Sequence, residues 1–193
     1  MAEAIDNQQI SKKELRRSLL KTRQALSPQV WRNNSDRIST HLQASPLFTQ
    51  AKTILAYFCF RQEPDLSALF TSDRCWAFPR CVDNNLSWHI WQPGECLVRG
   101  NYGILEPAAT APFVSVDAVD LILVPAVACD RFGYRLGYGG GFYDRLLSSP
   151  AWAAKPTIGI IFDFAYLAAI AIEPWDKPLH GICTETGLKI IDS

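Results

Sequence analysis

The amino-acid sequence predicts an α/β protein, a three-layer sandwich with a mostly parallel central sheet. Three observations carry that reading. Segments of helical periodicity alternate with short β-rich runs, the pattern of a sheet covered by helices. Two of the runs, Leu121–Val124 and Thr157–Phe162, are almost unbroken apolar sequence, as strands buried on both faces require. A glycine-rich segment from Gly133 to Gly141 follows one such strand and precedes a helix, the place of a ligand loop in an open α/β sheet. With 193 residues, 48% hydrophobic and 20% charged, the chain can build a sizeable core without covalent staples. No repeat, low-complexity tract or linker interrupts it, so residues 1–193 are expected to form a single domain, with residues 1–10 a frayed polar end.

The elements follow in order. Ser11 and Glu14 have capping-box spacing, so the first helix is expected to start there, with Leu15, Leu19 and Leu26 at helical intervals. Ser27-Pro28 reads as an N-cap followed by proline at the first helical position. The second helix is expected to turn Val30, Trp31, Ile38 and Leu42 inward and to end before Ser45-Pro46. Thr53–Phe60 is a β-rich run centred on Ile54 to Phe58. Asp65–Phe70 fits a short helix, and Cys75–Phe78 a strand stopped by Pro79. Leu86–Trp91 alternates apolar and polar residues and meets a turn signal at Pro93-Gly94. Beyond the glycine segment a helix is expected near Asp144–Leu147, and Leu188–Ile191 reads as a last edge strand.

Charge narrows the function classes. Lys and Arg number 19 and Asp and Glu 19, so the net charge is zero and no polyanion or membrane surface is an expected partner. The first 23 residues contain no apolar secretory core and no run is long enough to cross a bilayer, so a cytoplasmic protein is expected. The six cysteines are scattered with no Cys-x-x-Cys pair, which argues for reduced thiols, most of them small core residues, and against zinc.

The densest anomaly runs from Asp130 to Arg145, where five of the 11 glycines lie between Gly133 and Gly141. Glycines let several N–H groups converge, a following helix start adds positive potential, and Arg135 and Arg145 can add charge-assisted contacts, all of which suit phosphate oxygens. The alternative is a turn that merely joins strand to helix. Neither a Walker loop nor a dinucleotide fingerprint fits, because no Lys follows the glycines and Phe142 stands where a third glycine is needed. From Lys12 to Arg23 the first helix carries six basic residues against one acid, Glu14. On a helical wheel Lys12, Arg16 and Arg23 fall beside the leucine stripe, where they reach inward to a ligand or snorkel along the margin, whereas Lys13, Arg17 and Lys21 point to solvent. Asp144 and Asp176 are candidate Mg²⁺ ligands beside phosphates, the alternatives being a helix cap and an exposed turn. Glu63, near Phe58 and Phe60, suits a flat heteroaromatic ligand bearing N–H donors, or is a strand-end surface acid. His180 stands alone.

The segment Arg135 to Arg145, preceded by Val124-Pro125 and Asp130, resembles the signature of the 5-formyltetrahydrofolate cyclo-ligase (methenyltetrahydrofolate synthetase) family. Lys12 to Arg16 resembles the family's Lys-x-x-Leu-Arg pattern, followed by its Arg23 and Leu26-Ser27. Glu63-Pro64-Asp65, Pro79-Arg80 and Glu106-Pro107 are similar to further family segments, in the same order, from about Lys12 to the C-terminus.

The resemblance implies a sheet related to sugar-phosphate isomerases and CoA-transferases. It implies a MgATP-dependent closure of 5-formyltetrahydrofolate to 5,10-methenyltetrahydrofolate. Reduced folate and ATP are the expected partners of a protein expected to be a monomer. It places Lys12, Arg16, Arg135, Leu136, Gly137, Tyr138, Gly139, Gly140, Gly141, Phe142 and Tyr143 at ATP. It places Phe58, Glu63 and Tyr138 to Phe142 at the folate, Asp144 and Asp176 at Mg²⁺, and Lys12, Arg135 and Asp144 in catalysis. The chain departs from the family pattern at Tyr138 and Gly140, where a cation is common, and at His180, where a second Asp is common. A folate- or nucleotide-binding protein without ligase turnover is the alternative, and a nucleic-acid module built on the first helix a third reading.

Overall fold

Helix α1 (Lys12–Gln24) starts at the expected capping box, with the Ser11 hydroxyl accepting from the Glu14 N–H and the Glu14 carboxylate accepting from the Ser11 N–H. The computed structural model describes residues 11–191, so the polar end expected over residues 1–10 lies outside the described residues. Helix α2 (Pro28–Gln43) starts at Ser27 with proline in its first turn, as the sequence indicates. Its inner stripe is Ser35, Ile38, Ser39 and Leu42, with Trp31 half-buried. Val30 was expected inside, but it lies to one side of that stripe and is 44% exposed. The short helix α3 (Pro46–Thr49) follows.

Strands β1 (Thr53–Leu55), β2 (Cys75–Val82), β3 (Asn85–Ile90), β6 (Leu121–Pro125), β9 (Thr157–Ile160), β11 (Gly181–Thr184) and β12 (Gly187–Ile190) form one sheet in the order β12-β11-β9-β6-β1-β2-β3. The inner five run parallel and each edge strand is antiparallel to its neighbour. Strands β4 (Leu97–Arg99) and β5 (Leu105–Pro107) make a hairpin, and β7 (Ala128–Asp130), β8 (Arg135–Leu136) and β10 (Tyr166–Leu167) a small second sheet. Helices α4 (Phe142–Ser148) and α5 (Pro150–Ala153) lie between β8 and β9.

The apolar runs do what continuous hydrophobicity predicts. In β6, Leu121 and Leu123 enter one core with Ile38, Leu42 and Phe48, whereas Ile122 and Val124 enter the other with Leu146 and Leu147. Helices α2 and α3 therefore cover one face and α1, α4 and α5 the other, which makes the three-layer, mostly parallel sandwich.

Three local expectations are corrected. The β1 run leaves the sheet after Leu55, apart from one further bond from the Ala56 N–H to Ala77 O, and Tyr57–Phe60 continues as an extended loop. The Asp65–Phe70 helix reduces to a 3₁₀ turn at Ser67–Leu69. Pro79 does not stop β2: it is paired with Trp88 of β3, and its nitrogen points toward the edge that the shorter β1 has vacated, so no ladder bond is lost there. Of the cysteines, only Cys129 and Cys183 are buried. No helix among the described residues is long and apolar enough to cross a membrane.

Candidate active site

The sheet order points to a candidate ligand crevice. From β1 the chain moves to β2 and β3 on one side, while β6, β9 and β11 build outward on the other. The direction of winding reverses between β1 and β6, and ligands of open α/β sheets bind outside the carboxyl ends of the strands at such a reversal. The loops after β1 and β6 emerge there side by side. The first carries Glu63 and the second leads through β7 and β8 to the glycine loop.

That loop is shaped by backbone needs. Gly139 has φ +100° and Gly141 φ +68°, a region costly for any residue with a Cβ. Gly141 is the N-cap of α4 and receives no side-chain cap, so Asp144 does not serve as a helix cap. A Cβ on Gly137 would meet nothing within 4 Å, leaving that surface open to an approaching ligand. Helix α1 lies across the loop: Arg16 Nε donates to Gly137 O at 2.7 Å, and a Cβ on Gly139 would come within 3.8 Å of the Arg16 guanidinium. Lys12 Nζ pairs with Asp176 Oδ2 at 3.1 Å, and the same oxygen accepts from the Glu173 N–H. Lys12 and Arg16 are half-buried and Lys13, Arg17 and Lys21 exposed, as the helical wheel indicates.

Arg135, expected at phosphates, is buried and donates both Nη groups to Asp144 Oδ1 at 2.8 Å. Its neighbour Leu136 is 2% exposed in the core, and its carbonyl accepts from Val127 N–H at 2.8 Å. Gly140 O accepts from Arg145 Nη2 at 2.8 Å, and the Arg145 guanidinium lies over the Phe142 ring. Tyr143 packs beneath Arg135 and beside Trp88, and its buried hydroxyl has no partner among the described residues.

On the other side of the crevice, Glu63 is 4% exposed, which excludes an ordinary surface acid. It ends a tight turn in which the Glu63 N–H donates to Phe60 O at 3.0 Å and its own Oε2 accepts from the Phe60 N–H at 3.0 Å. The two central residues, Arg61 and Gln62, have φ +49° and +55° without being glycine, a strain on the order of 1 kcal/mol or more each. Burial pushes the Glu63 carboxyl up to about 7, against the opposing pull of Arg23, the Phe60 N–H and Tyr138. Phe58 stacks on Phe78 at 4.0 Å within a cluster that includes Phe70 and Trp91. The ring facing the glycine loop is Phe60, 6.4 Å from Tyr138. Two further residues were not picked out for this side. Trp31 Nε1 donates to Glu63 O at 2.9 Å, and Arg23, which the wheel had placed inward, is buried against Tyr138.

The metal candidates do not form a cage. Asp144 and Asp176 each have a cation of their own, and no group of three or more His, Cys, Asp or Glu side chains fit for a metal exists among the described residues. Separate, half-committed carboxylates fit Mg²⁺, which keeps water and phosphate oxygens in its shell. His180 accepts from the Thr157 N–H through Nδ1, beside the starts of β9 and β11, at the opposite end of the sheet from the crevice.

A model of the 5-formyltetrahydrofolate cyclo-ligase family matches residues 8–185. The chain belongs to that family. It is 32% identical over 185 residues to the 5-formyltetrahydrofolate cyclo-ligase of Mycolicibacterium smegmatis, spanning 90% of this chain and 93% of that one. It is 28% identical over 172 residues to the cyclo-ligase of Escherichia coli K12, spanning 84% and 93%. The NMR structure of 5,10-methenyltetrahydrofolate synthetase from Aquifex aeolicus superposes with a TM-score of 0.84 at 31% identity, covering 95% of this chain and 94% of that one. The cyclo-ligase fold thus extends over nearly the whole chain.

Proposed function

We propose that the protein catalyses the ATP-dependent cyclisation of 5-formyltetrahydrofolate to 5,10-methenyltetrahydrofolate, with release of ADP and phosphate. One observation carries this reading beyond family membership: a single loop borders both halves of the crevice, Gly137 bonded to Arg16 and the next residue, Tyr138, held against Arg23 beside Glu63. Nucleotide and folate would meet across it.

The formamide oxygen of the substrate is a poor leaving group. Attack of that oxygen on the γ-phosphorus of ATP expels ADP and leaves an activated iminium phosphate. The neighbouring folate amine then adds to the formyl carbon, the carbon–oxygen bond breaks, phosphate departs and the amine loses its proton. Positioning and charge neutralisation dominate catalysis of phosphoryl transfer. Lys12 and Arg16 would hold the phosphates, with the N–H groups of Gly137 to Gly141 around them. Asp144 and Asp176 would hold Mg²⁺, which supplies positive charge to the phosphate oxygens. Arg135 would orient Asp144, and the Phe142 and Tyr143 segment would close the loop. Leu136 would contribute backbone only. Glu63 would accept from the N–H groups of the pterin, with Tyr138 and Phe60 bordering it and Phe58 behind.

The test is the appearance of methenyltetrahydrofolate absorbance with 5-formyltetrahydrofolate and MgATP, and its dependence on each. Saturable binding of both ligands with no product and no phosphate release would overturn the ligase reading in favour of a binding protein.

A further inference from the structure

Arg23 has no part in the chemistry above, yet it occupies the winding reversal itself. It is the one α1 residue that is buried, at 3% exposure. Its guanidinium donates to three separate segments: Nε to Arg61 O at 3.1 Å, Nη1 to Ala126 O at 3.4 Å, and Nη2 to the Tyr138 hydroxyl. These are the loop after β1, the loop after β6 and the glycine loop. The Gln62 amide, oriented to satisfy its neighbours, donates back to Arg23 O at 2.8 Å and Gln24 O at 3.2 Å, so the strained turn is fastened to α1 from both directions. A buried guanidinium normally has a carboxylate partner, because its desolvation is otherwise uncompensated. None of the ion pairs among the described residues includes Arg23, and the carboxylate on which its charge acts is Glu63.

We infer that Arg23 is a positioning residue for the folate side of the site. It fixes Tyr138 and the Phe60–Glu63 turn against each other, and its charge favours the carboxylate form of Glu63 that receives substrate N–H groups. The inference rests on Glu63 being the folate acceptor, as proposed above. The groups that act on Glu63 come from each surrounding element: Arg23 from α1, Tyr138 from the glycine loop, Tyr143 from α4, and Tyr57, Cys59 and Arg61 from its own segment. Only Arg23 and Arg61 carry positive charge. Arg61 is exposed and screened by solvent, whereas Arg23 is buried, so Arg23 dominates.

Calorimetric titration of 5-formyltetrahydrofolate and, separately, of MgATP into the wild-type protein and its Arg23→Gln, Arg23→Lys, Tyr138→Phe and Glu63→Gln variants, from acid to mildly alkaline pH, tests this. Wild-type folate affinity should fall on the acid side as Glu63 takes up a proton. Arg23→Gln should move that fall toward higher pH by about one pH unit, the effect of removing one nearby opposite charge. Arg23→Lys should restore most of it, and Tyr138→Phe, which keeps the ring and serves if Arg23→Gln does not fold, should move it the same way by less. MgATP affinity should stay unchanged in Arg23→Gln and Arg23→Lys. An Arg23→Gln loss that is equal at every pH, or shared equally by MgATP, would make Arg23 merely structural. Glu63→Gln should bind folate weakly and without this pH dependence. Wild-type affinity in Glu63→Gln would overturn the inference too, and would identify the Glu63 assignment as the part that failed.

Discussion

Arg135 gives both of its Nη groups to one oxygen of Asp144, at 2.8 Å each, and among the described residues no bond engages the other oxygen. The pair balances the charge of a buried guanidinium through Oδ1 alone. Asp144→Asn retains an acceptor for Arg135 and removes the charge. Turnover should fall on the order of a hundredfold, the size of losing a positioned electrostatic group. Stability should fall by about 2 kcal/mol, below the range of a fully buried pair, because the Asp144 side chain keeps 31% exposure. Urea melts and the Mg²⁺ dependence of product formation measure the two effects.

Lys12 and Asp176 form a more open pair, with side chains 30% and 14% exposed. Lys12→Ala should therefore cost less than about 1 kcal/mol of stability. Loss of the proposed phosphate contact should raise the KM for ATP on the order of ten- to a hundredfold. A fall in melting temperature without a change in that KM would assign Lys12 to structure alone.

Two glycines of the loop separate space from strain. Gly137 has no atom within 4 Å of a Cβ and no positive φ, so Gly137→Ala should leave stability within about 0.5 kcal/mol and reduce ATP affinity by obstructing the ligand. Gly139 has φ +100°, so Gly139→Ala should cost about 1–2 kcal/mol before any ligand is added. Thermal melts of the two variants, with and without MgATP, distinguish these cases.

Glu63 makes stability depend on pH. Burial raises its folded pKa to about 7 from an ordinary value of 4.5, so the folded state binds the proton more tightly than the unfolded state. Its contribution to stability is greatest below about pH 4.5 and is lost as pH rises toward 7. Glu63→Gln has no such charge to bury and keeps an acceptor for the Phe60 N–H. Its melting temperature relative to wild type should rise from about pH 4.5 to about pH 7 and level off above that. A constant difference would mean that the carboxyl is not desolvated.

What could be read from the residues depended on how local the physics was. The caps at Ser11 and Ser27 and the two-sided burial of β6 follow from neighbouring residues, and all are present. The length of β1 and the path of β2 through Pro79 depend on where a partner strand ends, which no window of sequence contains. The same division runs through the site. The glycine loop, Lys12 and Arg16 stand out in composition and on a helical wheel. The wheel also turned Arg23 inward, but its three acceptors belong to loops 38 to 115 residues away, so its place between them could not be read. The stacking of Phe58 on Phe78 was hidden for the same reason.

The contacts of α1 also set a timetable. Its leading cation meets Asp176, 164 residues on, its middle one Gly137, 121 residues on, and its last Tyr138, 115 residues on. During synthesis this helix leaves the ribosome long before the groups it binds, with a mostly polar sequence and little to bury. Such distant pairings are the slow ones to form. Helix α1 is thus made early and among the last elements to dock, and on the proposed assignment a nascent chain lacking Asp176 would have no finished nucleotide site.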